Sequence, residues 1–342
     1  MAKRQTFLKS LIYDKTCARL WYRLIGKTEG HRVIISLVVV LIVIYLARII
    51  INTPAWPTWT NFNGKGVWDL ADLILVPIVL ALVAFFFNKR QKEQELELAK
   101  QERENDREIA RERTRETALQ NYLDKMTELL LPPNDLRKSD EDSEVRSIAR
   151  SRTLTVLRSL DGERKGSVVQ FLYEAGLINL KNIIVFLQDA NLEGAHLLGA
   201  HLRHTNLEFV NLRNANLEGV DLEGANLRTA FLSGTKLSGA NLEYTNLENA
   251  KLEYATLKAA TLEGAMLRGA ILKGTTLEGA MLRGAILKGA NLMGANLMDA
   301  ILGDANLEGA NLVDAWFDAD TIWPAGFDPI GAGAKKVKWE FA

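Results

Sequence analysis

The sequence predicts a β-solenoid in the C-terminal half of the chain, preceded by a membrane-spanning helical hairpin and a helical connection. Three observations carry this. Leucine recurs at every fifth position from Leu187 to Leu312, two long apolar runs lie near the N-terminus, and an intensely charged stretch separates them from the repeats. The 342 residues include 42 basic and 42 acidic side chains, a formal net charge of zero. That balance conceals strong local asymmetry, which divides the chain into units of different kinds. A single cysteine, Cys17, excludes an internal disulfide framework and a cysteine-rich zinc site.

In chain order, residues 1–32 form a basic segment with eight lysines and arginines. The run 33–51 is apolar apart from Ser36, Tyr45 and Arg48. As a helix it reaches about 28 Å, close to the roughly 30 Å hydrocarbon core of a bilayer. A second apolar run, 70–87, has Asp72 near its start and Pro77 within it. The connecting loop, 52–69, carries Trp56, Trp59 and Trp68, which suit a membrane–water interface. Lysine and arginine crowd both outer flanks, including Lys89, Arg90 and Lys92, while the loop has only Lys65. Both termini are therefore expected to be cytoplasmic and the loop external. The length of the first run and the absence of a small-residue cleavage site after it argue against a cleaved signal peptide. Arg48 and Asp72 fall at similar depth in such a hairpin, where an intramembrane ion pair would offset the cost of each charge. Separate snorkelling to the interface is the alternative.

Residues 88–118 read as a charged helical stalk, about 45 Å long, that continues from the second apolar run. Glu104–Arg107, Glu108–Arg111 and Glu112–Arg115 place opposite charges side by side at i,i+3. Apolar residues are too sparse for a regular heptad, so a solvated helix is expected, with a weak coiled-coil homo-oligomer as the alternative. Every arginine here has an acidic neighbour, and no nucleic-acid partner is expected. Residues 119–184 read as a small α-helical adaptor of three short helices. Leu119, Leu123, Met126 and Leu130 mark the first, which Pro132 and Pro133 end. Val145, Ile148, Ala149, Val156, Leu157 and Leu160 mark the second. The third spans about 167–175, with Gly176 placed as its C-cap.

From residue 185 to 318 the unit is five residues long. Two places before each leucine, from Ala190 to Ala310, only Ala, Thr or Val occurs, and Phe317 and Ile322 continue the leucine register. A period of five defines no face on a helix and alternates faces on a straight strand. The chain must therefore turn after every unit, so that each short segment shows the same side inward. The leucine and the small residue two before it share the inner face. Glycine two places after the leucine, as at Gly219 and Gly224, suits the bend.

The unit Ala190-Asn191-Leu192-Glu193-Gly194 resembles the A(N/D)LXX pattern of the bacterial pentapeptide-repeat family. The resemblance implies a right-handed quadrilateral β-helix of four units per coil over residues 185–318. It also implies a C-terminal cap and tail over 319–342, where Trp323 and Phe327 cover the open end. A bacterial cytoplasmic membrane location follows, or a thylakoid membrane in a photosynthetic source.

The repeat surface offers little chemistry. His196, His201 and His204 lie close in sequence, but equivalent positions in consecutive units project from different sides, so no metal site is expected. No catalytic residues and no cofactor are expected, and the register of five does not fit hexapeptide acyltransferases. Residues 190–318 hold 15 acidic and 10 basic side chains with signs interspersed. Glu208, Arg228, Glu248, Arg268, Lys288 and Glu308 should stack as a ladder of mostly alternating charge, a poor imitation of phosphate. One feature favours a protein partner. Where many units carry Asn or Asp before the leucine, Met266, Ile271, Met281, Ile286 and Ile301 stand instead. Met266 with Ile286, and Met281 with Ile301, should stack into an exposed apolar docking patch. Identical segments at 261–274 and 276–289 offer duplication as the alternative origin. The function expected is a membrane-tethered, non-catalytic scaffold, anchored in the lipid bilayer by its two spans and binding an unidentified protein. A regulatory subunit of a transport or envelope-assembly system is the next reading, and a DNA mimic that binds gyrase the last.

Overall fold

The computed structural model describes residues 61–62 and 65–337, and the chain divides into two compact units, Met1–Arg107 and Glu108–Ala342. In the first, strand β1 (Asn61–Phe62) pairs antiparallel with β2 (Lys65–Gly66). Helix α1 begins at once and runs over Val67–Leu130. The second apolar run, the stalk and the first adaptor helix are one element. No proline stands at the junctions between them; the one inside the helix, Pro77, lies within the apolar run and costs it a backbone hydrogen bond.

Among the described residues no helix is long and apolar enough to cross a membrane. The expected hairpin is therefore not found there. The run 33–51 and Arg48 lie outside the described residues, as do the segment 1–32, most of the loop 52–69, and with them the Arg48–Asp72 pair. The run 70–87 opens α1 and passes without interruption into Lys89 and Arg90; on it Ile78, Leu80, Phe85 and Phe87 are exposed.

In the second unit, two of the anticipated i,i+3 pairs on α1 form, Glu108–Arg111 at 3.5 Å and Glu112–Arg115 at 2.8 Å. Helices α2 (Glu144–Ser159) and α3 (Gly162–Glu174) follow. Ser143 and Asp161 cap them by accepting from the backbone N–H groups of Arg146 and Arg164. Gly176, with φ +68°, closes α3, and the Leu177 N–H reaches back to the Leu172 carbonyl at 2.9 Å. Met126, Leu136, Ala149, Leu157, Val168 and Leu172 are buried between these helices. Arg164 fastens α3 to α1 through Glu112 at 2.9 Å and Glu116 at 3.1 Å, and also pairs with Asp161. Its hydrogen bond holds the Glu112 carboxyl below the usual carboxylate range.

The helical unit is more than an adaptor, because it covers the N-terminal end of the repeats. Gly162 accepts a 2.8 Å hydrogen bond from the His196 N–H. A Cβ on Gly162 would lie 2.2 Å from the Gly194 carbonyl oxygen, and one on Gly166 would lie 2.0 Å from that of His196. Only a helix face without side chains at those two places can approach so closely. Lys165 donates to the Glu193 carbonyl at 2.8 Å, Arg146 to Ile183 at 3.2 Å and Arg150 to Phe186 at 3.2 Å. A short antiparallel pair, β3 (Ile178–Asn179) with β4 (Asn182–Ile183), leads into the coils.

The repeats form a four-sided β-solenoid. Parallel bridges link residues twenty apart from Asn191↔Asn211 to Asn296↔Trp316, so four five-residue units make one coil. Each coil hydrogen-bonds to the next; the Leu192 N–H donates to the Asn211 carbonyl at 2.8 Å, and the Asn211 N–H to the Ala190 carbonyl at 3.0 Å. The leucines and the small residues two before them are buried almost without exception. Four buried threonines replace alanine in the inner column and satisfy their hydroxyls on backbone carbonyls, as Thr245 does on Leu222 at 3.0 Å. At each corner the residue two after the leucine has positive φ, a demand met by glycine in most units.

At the C-terminal end one expectation needs correction. Phe317 is buried as anticipated, but Ile322 is 52% exposed and pairs with Ile301, twenty-one residues away. A tight turn inserts the extra residue: one oxygen of Asp318 accepts from the N–H groups of Asp299, Asp320 and Thr321 and from the Thr321 hydroxyl. Thr321 takes the inner position instead and donates to the Leu297 carbonyl at 3.0 Å. Beyond the turn, Trp323 stands edge-on to Phe317 at 5.5 Å and stacks on Phe327 at 5.4 Å. Strand β5 (Trp316–Phe317) pairs parallel with β6 (Lys335–Lys336), which closes the end.

A candidate docking surface on the solenoid

The residue before each leucine points outward, and bridges arrange these residues into four columns. Most members are polar and support one another. Asn226 donates its side-chain N–H to Asn206 at 3.2 Å and Asn241 to Asp221 at 3.1 Å. The same Asn226 oxygen accepts from the Arg228 N–H at 3.2 Å, which braces the following turn.

The column through Asn206, Asn226 and Asn246 turns apolar at Met266 and Ile286. The column through Asp221, Asn241 and Thr261 turns apolar at Met281, Ile301 and Ile322. Both stacks anticipated from the sequence are thus in register. Met281 and Ile286 belong to consecutive units, so the two columns occupy neighbouring sides and meet along the corner at Arg283 and Gly284. Ile271 stands apart from this pair of columns, on the next side between Lys251 and Asn291. Met281 is 36% exposed, and Met266, Ile286 and Ile301 are half-buried.

Two contributors were missed in the sequence. Ile322 extends the Met281–Ile301 column through the inserted residue. Tyr244, 64% exposed, sits at the same corner with φ +55°, and its ring lies against Gly264, whose Cβ would fall 2.7 Å from it. The spacing of twenty between Tyr244 and Gly264 was the available signal. Tyr254 repeats the arrangement over Gly274 at another corner.

Charges on the coils pair along the axis. Arg228 meets Glu208 at 3.1 Å, Lys258 meets Glu278 at 2.8 Å, Lys288 meets Glu308 at 2.8 Å, and Arg268 meets Glu248 at 3.8 Å. The anticipated ladder therefore neutralises itself. Arg213 and Lys251 flank the Phe231 ring at 4.5 and 4.7 Å. His196 and His201 lie in different outer columns, bridged to Asn216 and Asp221 respectively. Asp299, Asp318 and Asp320 bring carboxylates within 4.8 Å of one another, but the hydrogen bonds on Asp318 account for that grouping as a turn. Burial pushes its carboxyl up, and the bonds from Asp299, Thr321 and Asp320 outweigh this and hold it below the ordinary range.

These features define a four-sided solenoid built from five-residue units, with a mostly polar outer surface that carries a local apolar cluster at Met266, Met281, Ile286 and Ile301. A family profile described as Pentapeptide repeats (8 copies) matches residues 187–224, 205–243, 215–253, 245–284 and 277–314. The chain belongs to the pentapeptide-repeat family. Among solved structures it is similar to HetL, a pentapeptide repeat protein involved in heterocyst differentiation regulation from the cyanobacterium Nostoc sp. strain PCC 7120. The identity is 39% over 38% of this chain and 63% of HetL, with a TM-score of 0.26. It is also similar to a pentapeptide repeat protein from the Arabidopsis thaliana thylakoid lumen, at 31% identity over 28% of this chain and 69% of that one, with a TM-score of 0.19. A likeness to QnrB1, a plasmid-mediated fluoroquinolone resistance protein, has 18% identity over 44% of this chain and 78% of that one, and a TM-score of 0.35. The chain spans about 63% of the length of HetL. No curated protein matches it, and no catalytic family is indicated.

Proposed function

We propose that the chain is a non-catalytic interaction module that displays its solenoid to the cytoplasm from a membrane tether and binds a protein along the Met281 corner. The observation that carries this reading is the change in the outer columns. The inner columns keep leucine and small residues throughout, while Met266, Met281, Ile286 and Ile301 stand where many other units carry Asn or Asp outside. A contiguous, partly exposed apolar patch suits a protein partner. Neighbouring placement of the two stacks brings them together as one patch.

The tether rests on the sequence alone, on the runs 33–51 and 70–87 and the basic flanks that bound them, and no described helix supports it. Carbonate extraction of membranes tests it, since a spanning chain stays in the pellet and release into the supernatant removes the tether from the account. Docking is tested with a photo-crosslinking residue placed at 281 or, on the same side two coils earlier, at 241. A specific adduct from 281 and not from 241 supports the reading. Equal adducts from both positions, or none from 281, contradict it. The self-paired charge ladder speaks against the DNA-mimic alternative, and a supercoiling assay with gyrase checks that directly.

A further inference from the structure

The docking corner contains its own description of what it accepts. At Gly264 the absence of a side chain lets the Cδ1–Cε1 edge of the Tyr244 ring from the preceding coil come against the backbone. One coil further on, Gly284 stands in the same corner column with φ +65°, exposed, and nothing comes within 4 Å of where its Cβ would be. The residue that would cover it, by the rule that places Tyr244 over Gly264, is Gly264 itself. Gly284 is therefore the same notch without its ring.

Other glycine corners are open too, but Gly284 lies between two units whose outer residues are both apolar. Met281 precedes it on one side and Ile286 follows on the next, with Ile301 and Met266 one coil away in the same columns. Gly294, the open corner that follows Tyr254 and Gly274, lies instead between Asn291 and Asn296. Beside the Gly284 notch stands Arg283. Arg228, Arg268, Lys258 and Lys288 are held by glutamates one coil away, whereas Arg283 makes no ion pair among the described residues.

The geometry points to an aromatic side chain of a partner protein, followed or preceded by an aspartate or glutamate, as the occupant of this notch. The ring lies on Gly284 between Met281 and Ile286, in the way Tyr244 lies on Gly264, and the carboxylate meets Arg283. Aromatic anchors in small pockets are the usual centres of protein interfaces, and an exposed arginine favours a bidentate carboxylate. This inference rests on the docking reading above and names the chemistry of its partner.

A swap of two side chains tests it. In Tyr244→Gly/Gly264→Tyr the composition is unchanged, and the ring moves one coil along to cover Gly284 from within the chain. A phage-displayed library of random peptides is panned on the full chain in detergent micelles, and enriched peptides are synthesised with a fluorescent label and titrated. Peptides carrying Tyr, Phe or Trp beside Asp or Glu are expected to enrich. Their affinity should fall about tenfold or more on the swapped variant, the scale of a central interface residue. It should fall similarly on Arg283→Glu, which keeps the test available if the swap disturbs folding. Failure of such peptides to enrich, or equal binding to the swapped variant and Arg283→Glu, overturns the proposal. Peptides that lose binding on Met281→Glu/Ile301→Glu yet ignore both other variants would leave the docking face standing and remove the aromatic notch.

Discussion

The coils before residue 261 and those after it share one interior and differ outside. Inside, both stack leucine on leucine and small residue on small residue, with identical hydrogen bonding from coil to coil. Outside, the early coils mostly present Asn, Asp, Lys and His, linked along the axis by amide and ion-pair ladders. The later coils keep Asn291, Asn296, Asn306 and Asn311 but also present Met266, Ile271, Met281, Ile286, Ile301 and Ile322. Stability therefore resides in the shared interior, and whatever distinguishes this solenoid as a binding protein resides in the part that changes.

That division fails if outer substitutions cost as much as inner ones, and variants of decreasing expected effect probe it. Leu252 is fully buried, so Leu252→Asp places an unpaired carboxylate among leucines. A loss of several kcal/mol is expected, visible as rapid proteolysis of the repeats; a resistant, soluble variant would show that the leucines do not face inward. Gly166→Leu pushes a side chain into the His196 carbonyl and should cost about 1–3 kcal/mol. Hydrogen exchange should locate that loss in the first coils beside α3, and uniform protection would refute the capping role of the helices.

Thr245→Val exchanges a hydroxyl bonded to the Leu222 carbonyl for a methyl of similar volume. A cost of about 1 kcal/mol is expected in a denaturant titration, in early and late coils alike, as Thr275→Val should confirm. The smallest effect concerns pH. The Asp318 carboxyl titrates below its ordinary value in the folded chain, so its contribution is full above the unfolded pKa near 4. It fades as pH falls through the lower folded value. Wild type and Asp318→Asn should differ in melting temperature at neutral pH and converge in acid; a constant gap would contradict this.

Much of the solenoid could be read in advance because a period of five leaves a turning chain as the one consistent geometry. The stacking of Met281 on Ile301 followed from the family's four-unit coil. Other features depended on contacts that no period encodes. The Asp318 turn shifts Ile322 outward through four local hydrogen bonds. The face of α3 bearing Gly162 and Gly166 has meaning only beside the coil it touches. That α1 runs on from the stalk into the first adaptor helix was obscured because composition changes along it while its backbone does not. At the candidate site the five apolar residues were visible in the sequence. Tyr244 was not, since its role depends on a glycine twenty residues away.

Replacing Met281 and Ile301 together with asparagine, the residue that Asn241 supplies in the same column, compares the two regions in one measurement. Unfolding and partner crosslinking of the full chain are followed side by side. The account predicts a melting curve like that of wild type and loss of the specific crosslink. A variant that unfolds early yet keeps the crosslink would contradict it.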